Sequence, residues 1–154
     1  MKAAVGDKAL VFQLKNQEDV WIDLNDFLGK IPLIIYFYPK NFTPGCVAEA
    51  CSFRDQFEDF TDLGAMVIGI SADSVNSHAR FVKKYKLPFT MLADIDNKVR
   101  KLFDVKGNFM GIIPGRETFV IDAQGIIQMR FESLLATKHI PKALAMLQKV
   151  QHGK

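Results

Sequence analysis

Two short, unbroken apolar runs dominate the pattern of the chain: Pro32–Tyr38 (Pro-Leu-Ile-Ile-Tyr-Phe-Tyr) and Ala65–Ser71 (Ala-Met-Val-Ile-Gly-Ile-Ser). Both are rich in β-branched and aromatic residues, and their continuity reads as central strands covered on both faces. Between them, Pro44–Asp62 carries Val47, Ala50, Phe53, Phe57 and Phe60 near helical spacing, and Gly64 stops the helix. A strand–helix–strand unit follows. The alternation continues with a helix over Val75–Tyr85, a short strand over Thr90–Ala93 and a helix over Asn97–Phe103. Arg116–Asp122 and Ile126–Phe131 form a hairpin around Ala-Gln-Gly125. A closing helix spans His139–Val150, with Pro141 tolerated in its first turn. Near the start, Ala9–Leu14 and Val20–Ile22 suit a further hairpin at a sheet edge.

Helices alternating with strands, plus a terminal hairpin, specify an α/β chain with a mixed β-sheet flanked by helices and an N-terminal β-hairpin, of the thioredoxin-like type. No repeat, low-complexity tract or linker interrupts it. Residues 1–154 are therefore expected to form a single domain, which the length allows.

Composition narrows the function. An apolar fraction of 49% with 24% charged residues is ordinary for a soluble globular protein. The net charge of +3 is too small to imply nucleic acid, and the Lys83, Lys84 and Lys86 cluster reads as a solvated helix face. No apolar run is long enough to span a bilayer, and the first residues lack a secretory h-region. A cytoplasmic location is expected for the chain as numbered.

The chemistry-bearing feature is the pair Cys46 and Cys51, the only two cysteines. Thr43 is a favoured N-cap residue and Pro44 suits the first helical position, which puts Cys46 in the first turn. There the unpaired backbone N–H groups and the positive end of the helix dipole favour a thiolate. On an ideal helix Cys46 and Cys51 are about 140° apart in azimuth, with Cα atoms roughly 8.6 Å apart. A disulfide rarely spans more than about 7 Å. The two cysteines therefore either never bond or bond only when the helix start unwinds. Metal binding is not expected, because His78, His139 and His152 show no ligand spacing with either cysteine. His78 reads as a solvated helix residue, and no histidine is recommended as a base. Arg116, entering an apolar strand after Ile-Ile-Pro-Gly115, is the candidate cation. Arg54 (mid-helix) and Arg130 (in an alternating strand) are expected to face outward.

Pro39-Lys-Asn-Phe-Thr43-Pro-Gly-Cys46 matches the P-x-x-x-T-x-x-C motif of peroxiredoxins. The longer run from Tyr36 to Asp55, with Cys51 five residues on, resembles the Q-type subgroup, the bacterioferritin comigratory proteins. The similarity extends through Gly6-Asp7, Gly29-Lys30, Ala93-Asp94 and Arg116-Glu-Thr-Phe-Val-Ile-Asp122. Asn41 and Val47 stand where Asp and Thr are frequent, and Ala9–Phe12 lacks a common proline. The resemblance implies a thioredoxin-like fold and a thiol peroxidase acting on hydrogen peroxide and alkyl hydroperoxides without a cofactor. By the same resemblance Cys46 would be the peroxidatic nucleophile and Cys51 the resolving cysteine, joined in an intrachain disulfide that thioredoxin or a similar dithiol reduces. Thr43 would hydrogen-bond thiolate and peroxide, Pro39 would shield the pocket and Arg116 would polarise both. An intrachain disulfide permits a monomer or weak dimer. General disulfide exchange and a non-turnover redox sensor are the competing readings of the cysteine pair.

Overall fold

The computed structural model describes residues 3–107, 115–133 and 135–152. Seven strands form one sheet: β1 (Gln13–Asn16), β2 (Trp21–Asp23), β3 (Leu33–Phe37), β4 (Met66–Ser71), β5 (Thr90–Ala93), β6 (Glu117–Ile121) and β7 (Ile127–Glu132). Their spatial order is β2-β1-β5-β4-β3-β6-β7. Strands β3, β4 and β5 run parallel, while β1 and β6 join them antiparallel. The mixed sheet expected from the alternation is present. The N-terminal hairpin exists, but its first strand begins at Gln13 rather than Ala9, and β2 forms the outer edge.

The apolar run of β3 is central because it feeds two cores. Leu33, Ile35 and Phe37 point into one, with Phe12, Val99, Phe103 and Phe119. Ile34, Tyr36 and Tyr38 point into the other, with Cys46, Phe53, Phe60, Phe81, Ile140 and Leu147. Helices α1 (Pro44–Asp55), α2 (Phe57–Thr61), α3 (Val75–Tyr85) and α5 (His139–His152) supply the second core, and α4 (Lys98–Leu102) supplies the first. The two side-chain sets alternate along one strand, as period-two geometry requires.

One expected helix is two. The backbone leaves the helical ladder at Gln56 (φ −107°, ψ 14°), whose N–H is shared between the Ser52 and Arg54 carbonyls. Phe57 and Phe60 keep helical spacing across this break, so apolar periodicity alone does not reveal it. Arg54 consequently sits in the last turn of α1 rather than mid-helix, and its guanidinium donates to the Tyr85 carbonyl at 2.7 Å. Gly64, at φ +77°, makes the turn into β4.

Tyr36 stacks on Phe53 with ring centroids 4.6 Å apart, and Gly69 of the neighbouring strand makes room for it. A Cβ at Gly69 would lie 2.8 Å from Tyr36 Cζ and 2.9 Å from Met91 Sδ. Gly69→Ala is therefore expected to destabilise the fold by about 1–3 kcal/mol. The measurement is a lowered urea midpoint at unchanged slope; an unmoved midpoint would show that the contact is not tight.

Candidate active site

Strand β3 ends at Phe37, and the chain runs through Tyr38, Pro39 and Lys40 into α1. Thr43 occupies the N-cap position and Pro44 the first helical position. The Thr43 side chain makes no bond to the helix it precedes. Its hydroxyl instead donates to the Lys40 carbonyl at 2.7 Å, folding the loop back on itself. Cys46 lies in the first turn, 1% exposed, and Cys51 is half-buried in the same helix; both are free. Pro39 is half-buried at the start of the loop.

Arg116 arrives from the neighbouring strand, immediately before β6, which pairs antiparallel with β3. Its Nη2 lies 3.4 Å from Cys46 Sγ, and its Nη1 donates to Glu49 Oε1 at 2.5 Å. Cys46 and Glu49 are three residues apart on one helix, so they share a face and both reach one guanidinium. Arg116 is 7% exposed, and its Nε lacks a hydrogen-bond partner among the described residues. Gly45 permits the approach: a Cβ there would stand 3.0 Å from Arg116 Nη2.

The electrostatics are those of a buried triad. Burial disfavours the Arg116 charge, but Glu49 and Cys46 outweigh it and hold the guanidinium above its usual range. Burial dominates at Glu49, overcoming the attraction of Arg116 and pushing its carboxyl up to about 8. His139, also fully buried, closes the far side. Its Nε2 lies 2.8 Å from the Ser133 carbonyl and so carries a proton, while Nδ1 accepts from the Thr118 hydroxyl at 2.8 Å. Burial keeps His139 below its ordinary range, against the Ser133 bond. Glu49 Oε1 is taken by Arg116, so a proton on Glu49 belongs on Oε2. That atom is 3.7 Å from His139 Nδ1 and otherwise unpartnered among the described residues.

A second polar group braces the loop. Asn41 is 3% exposed; its Oδ1 accepts from Tyr38 Oη at 2.5 Å, and its backbone N–H donates to Asp73 at 2.9 Å. Its Nδ2 is 3.0 Å from His78 Nδ1.

The structure thus brings Cys46, Thr43, Pro39 and Arg116 to one end of the sheet, with Cys51 a turn and a half along α1. It corrects several expectations. His78 is fully buried rather than solvated, because it lies one turn from Phe81 on the inward face of α3. His139, which carried no signal, packs against the site. Arg130 faces inward: it pairs with Glu117 at 2.6 Å, lies 4.9 Å from the Phe119 ring centroid and donates to the Ala3 and Asp104 carbonyls. Glu49 was not singled out, although a carboxylate on the apolar stripe of Cys46, Ala50 and Phe53 was a readable signal. The turn expected at Ile-Ile-Pro-Gly115 falls, except for Gly115, outside the described residues, as does the side chain of His152.

Two outcomes follow from this geometry. Gly45→Ala should push the guanidinium off the sulfur and slow the reaction of Cys46 with a thiol-directed electrophile about tenfold, since small misplacements cost rate steeply. Stopped-flow measurement at unchanged stability checks it, and an unchanged rate contradicts the close approach. Glu49 keeps a proton in the folded state at pH values where the unfolded chain, with its ordinary carboxyl near 4.5, has lost it. Its stabilising contribution is therefore complete below about pH 4.5 and is lost as pH rises through about 8, by up to ~5 kcal/mol. The depressed His78 and His139 act oppositely, adding stability as pH rises through the ordinary histidine range near 6.5. Subtracting urea midpoints of Glu49→Gln from those of the parent between pH 5 and 9 isolates the Glu49 slope; parallel curves would sink the assignment.

Comparisons with known proteins agree with this site. The model of the AhpC/TSA family matches residues 5–130. The chloroplastic peroxiredoxin Q of Sedum lineare is 46% identical over 151 residues, covering 97% of this chain and 81% of that protein. The crystal structure of peroxidoxin BcpB from Mycobacterium tuberculosis superimposes with a TM-score of 0.87 at 34% identity, over 95% of this chain and 97% of that one. The bacterioferritin comigratory protein of Xanthomonas campestris, studied for its alkyl peroxide reduction, superimposes with a TM-score of 0.83 at 30% identity, over 91% and 92% of the two chains. The mixed sheet flanked by helices is accordingly the thioredoxin-like fold of peroxiredoxins. The chain belongs to the AhpC/TSA family, within it to the Q-type peroxiredoxins, and is a thiol peroxidase.

Proposed function

We propose that this enzyme reduces hydrogen peroxide and alkyl hydroperoxides through a sulfenic acid on Cys46, that Cys51 resolves it as an intrachain disulfide, and that thioredoxin or a similar dithiol reduces the disulfide. The observation that carries the reading is the Arg116 guanidinium 3.4 Å from Cys46 Sγ, with Cys51 in the same helix. The Cys46 thiolate attacks the O–H oxygen of the peroxide and the O–O bond breaks. That oxygen keeps its hydrogen and becomes the sulfenic acid, while the other leaves as hydroxide or alkoxide and takes a proton from water. With its own proton on the Lys40 carbonyl, the Thr43 oxygen is an acceptor for the peroxide O–H. Arg116 and the first-turn N–H groups stabilise charge on the leaving oxygen. A neutral Glu49 leaves more of the guanidinium's charge to the sulfur and the substrate. Pro39 shields the thiolate from water.

Resolution needs α1 to open. Cys51 then attacks the Cys46 sulfur, expelling hydroxide that leaves as water. The helix start suits this, because α1 has no side-chain N-cap bond and no acidic residue in its first turn. Its first turn lacks two usual reinforcements, and unwinding it is correspondingly cheap. No second subunit is required, so a monomer suffices. Burial of Cys46 to 1% exposure favours a small peroxide over a protein disulfide as the attacked species, against general disulfide exchange.

Purified enzyme with a thioredoxin system should consume peroxide, and Cys46→Ser should abolish that. Cys51→Ser should turn over once, then stall and over-oxidise to sulfinic acid. Mass spectrometry of the oxidised parent should find the Cys46–Cys51 bridge within one chain. Full turnover in Cys46→Ser, or only intermolecular disulfides, would overturn the reading.

A further inference from the structure

A second arginine is buried behind the site with no role in the chemistry above. Arg100 belongs to α4 and is 7% exposed. Its guanidinium has no carboxylate within ion-pairing distance among the described residues and donates to two main-chain carbonyls: Nη2 to Tyr38 O at 2.9 Å and Nη1 to Gly115 O at 2.7 Å. Tyr38 is the residue before Pro39, where the catalytic loop leaves β3. Gly115 is the residue before Arg116. One planar fork therefore spans the joints from which both halves of the site are hung.

We infer that Arg100 is a positioning residue of the peroxidase site, a clamp that holds the Tyr38–Pro39 and Gly115–Arg116 joints together and so keeps the Arg116 guanidinium on Cys46. This rests on the functional reading of Arg116 and Cys46 given above.

The clamp is itself fixed from behind. The Asp94 carboxylate accepts from the backbone N–H groups of Val99 (3.0 Å) and Arg100 (2.9 Å), and Asp94 N–H donates to the Ser71 carbonyl at 2.8 Å. The root of the Arg100 side chain is thereby tied to the end of β4. Its guanidinium carbon lies 5.8 Å from the centroid of the Phe37 ring, which limits movement on that side. At Gly115 a Cβ would collide with the Lys106 carbonyl, so this joint is confined on both sides. Tyr38 and Arg116 come from segments far apart in sequence, and Tyr38 lies beyond the last β3–β6 register pair, Phe37 with Glu117. The strand ladder therefore ends just short of the joints, and Arg100 takes over where it stops. Burial lowers the Arg100 charge below its ordinary range, with Asp94 and the Cys46 thiolate among the charges that oppose this. A buried cation whose hydrogen bonds go to carbonyls is an expensive way to tie two loops unless their spacing matters. A lysine presents a single ammonium on a flexible stem, and it lacks the planar fork.

The test is a double-mutant cycle read on peroxide reaction of the Cys51→Ser enzyme, where only the first chemical step is seen. Arg100→Gln should slow that step at least tenfold when Arg116 is present. In an Arg116→Lys background the same change should alter the rate less than twofold, because the group it positions is gone. Leu147→Ala is the control for lost stability: Leu147 lies at the opposite end of the sheet beside Pro32 and Val120, and its truncation should lower Tm with the same small rate effect in both backgrounds. If Arg100→Gln does not fold, Arg100→Lys replaces it in the same cycle with the same expected coupling. Equal rate losses in both backgrounds, or no loss beyond twofold beside a native Arg116, would overturn the inference while leaving the Cys46 peroxidase reading intact. Loss of peroxide reaction in Cys51→Ser alone would overturn that reading instead.

Discussion

A buried guanidinium needs partners, and the site is organised around how Arg116 finds two of them on one helix. Cys46 and Glu49 are three residues apart, so α1 presents a sulfur and a carboxyl on a single face. The antiparallel pairing of β6 with β3 delivers Arg116 to the same end of the sheet at which α1 begins. Full burial sets the two groups in competition for one cation. It is resolved at the carboxylate, which burial pushes up to about 8, rather than at the cation. Gly45 completes the constraint, because a Cβ there would lie 3.0 Å from Arg116 Nη2 and crowd the guanidinium.

The helix that carries Cys46 is held unevenly. Its second turn is anchored through Glu49 to Arg116, and Ala50 and Phe53 are buried beneath it. Its first turn has the dipole but no capping side chain, because Thr43 spends its hydroxyl hydrogen on Lys40. An N-cap bond is worth about 1 kcal/mol. Withholding it keeps the first turn near the low end of local stability, while β3 beneath remains locked between two cores. The resolution step proposed above, in which the start of α1 opens, is consistent with this distribution.

How much of this was legible in the sequence depended on distance along the chain. Pro39, Thr43, Cys46 and Cys51 lie within thirteen positions, so turn chemistry, capping and helical rise were enough to place them relative to one another. The central strands and α3 announced themselves by unbroken apolar runs or by a strong stripe. Arg100 was not found, because it is defined by contacts across the fold, to Tyr38 and Gly115; the apolar stripe of α1 could have flagged Glu49, but not its partner Arg116. The outward reading of Arg130 failed for the same reason, since alternation predicts a face but not the Glu117 that neutralises a charge on it. His78 could have been read correctly, as it recurs with Val75 and Phe81 at helical spacing. The interruption at Gln56 was hidden because Phe57 and Phe60 preserve the apolar period across it.

The loop between Pro39 and Thr43 shows why the reactive conformation is a tertiary property rather than a local one. Phe42 stands at φ +66°, a left-handed conformation that is unfavourable for a bulky side chain by roughly 1–2 kcal/mol. What holds it lies outside the loop: its ring meets Phe81 edge-on at 5.1 Å and lies 6.4 Å from Tyr85, and neighbouring Asn41 is tied to Tyr38, Asp73 and the vicinity of His78. Left to its own preferences this segment would not adopt the turn that presents Cys46. Helix α3 therefore imposes the loop from one side while Arg116 imposes the sulfur's surroundings from the other. The backbone strain at Phe42 is thus set against its packing on α3, and neither involves β3.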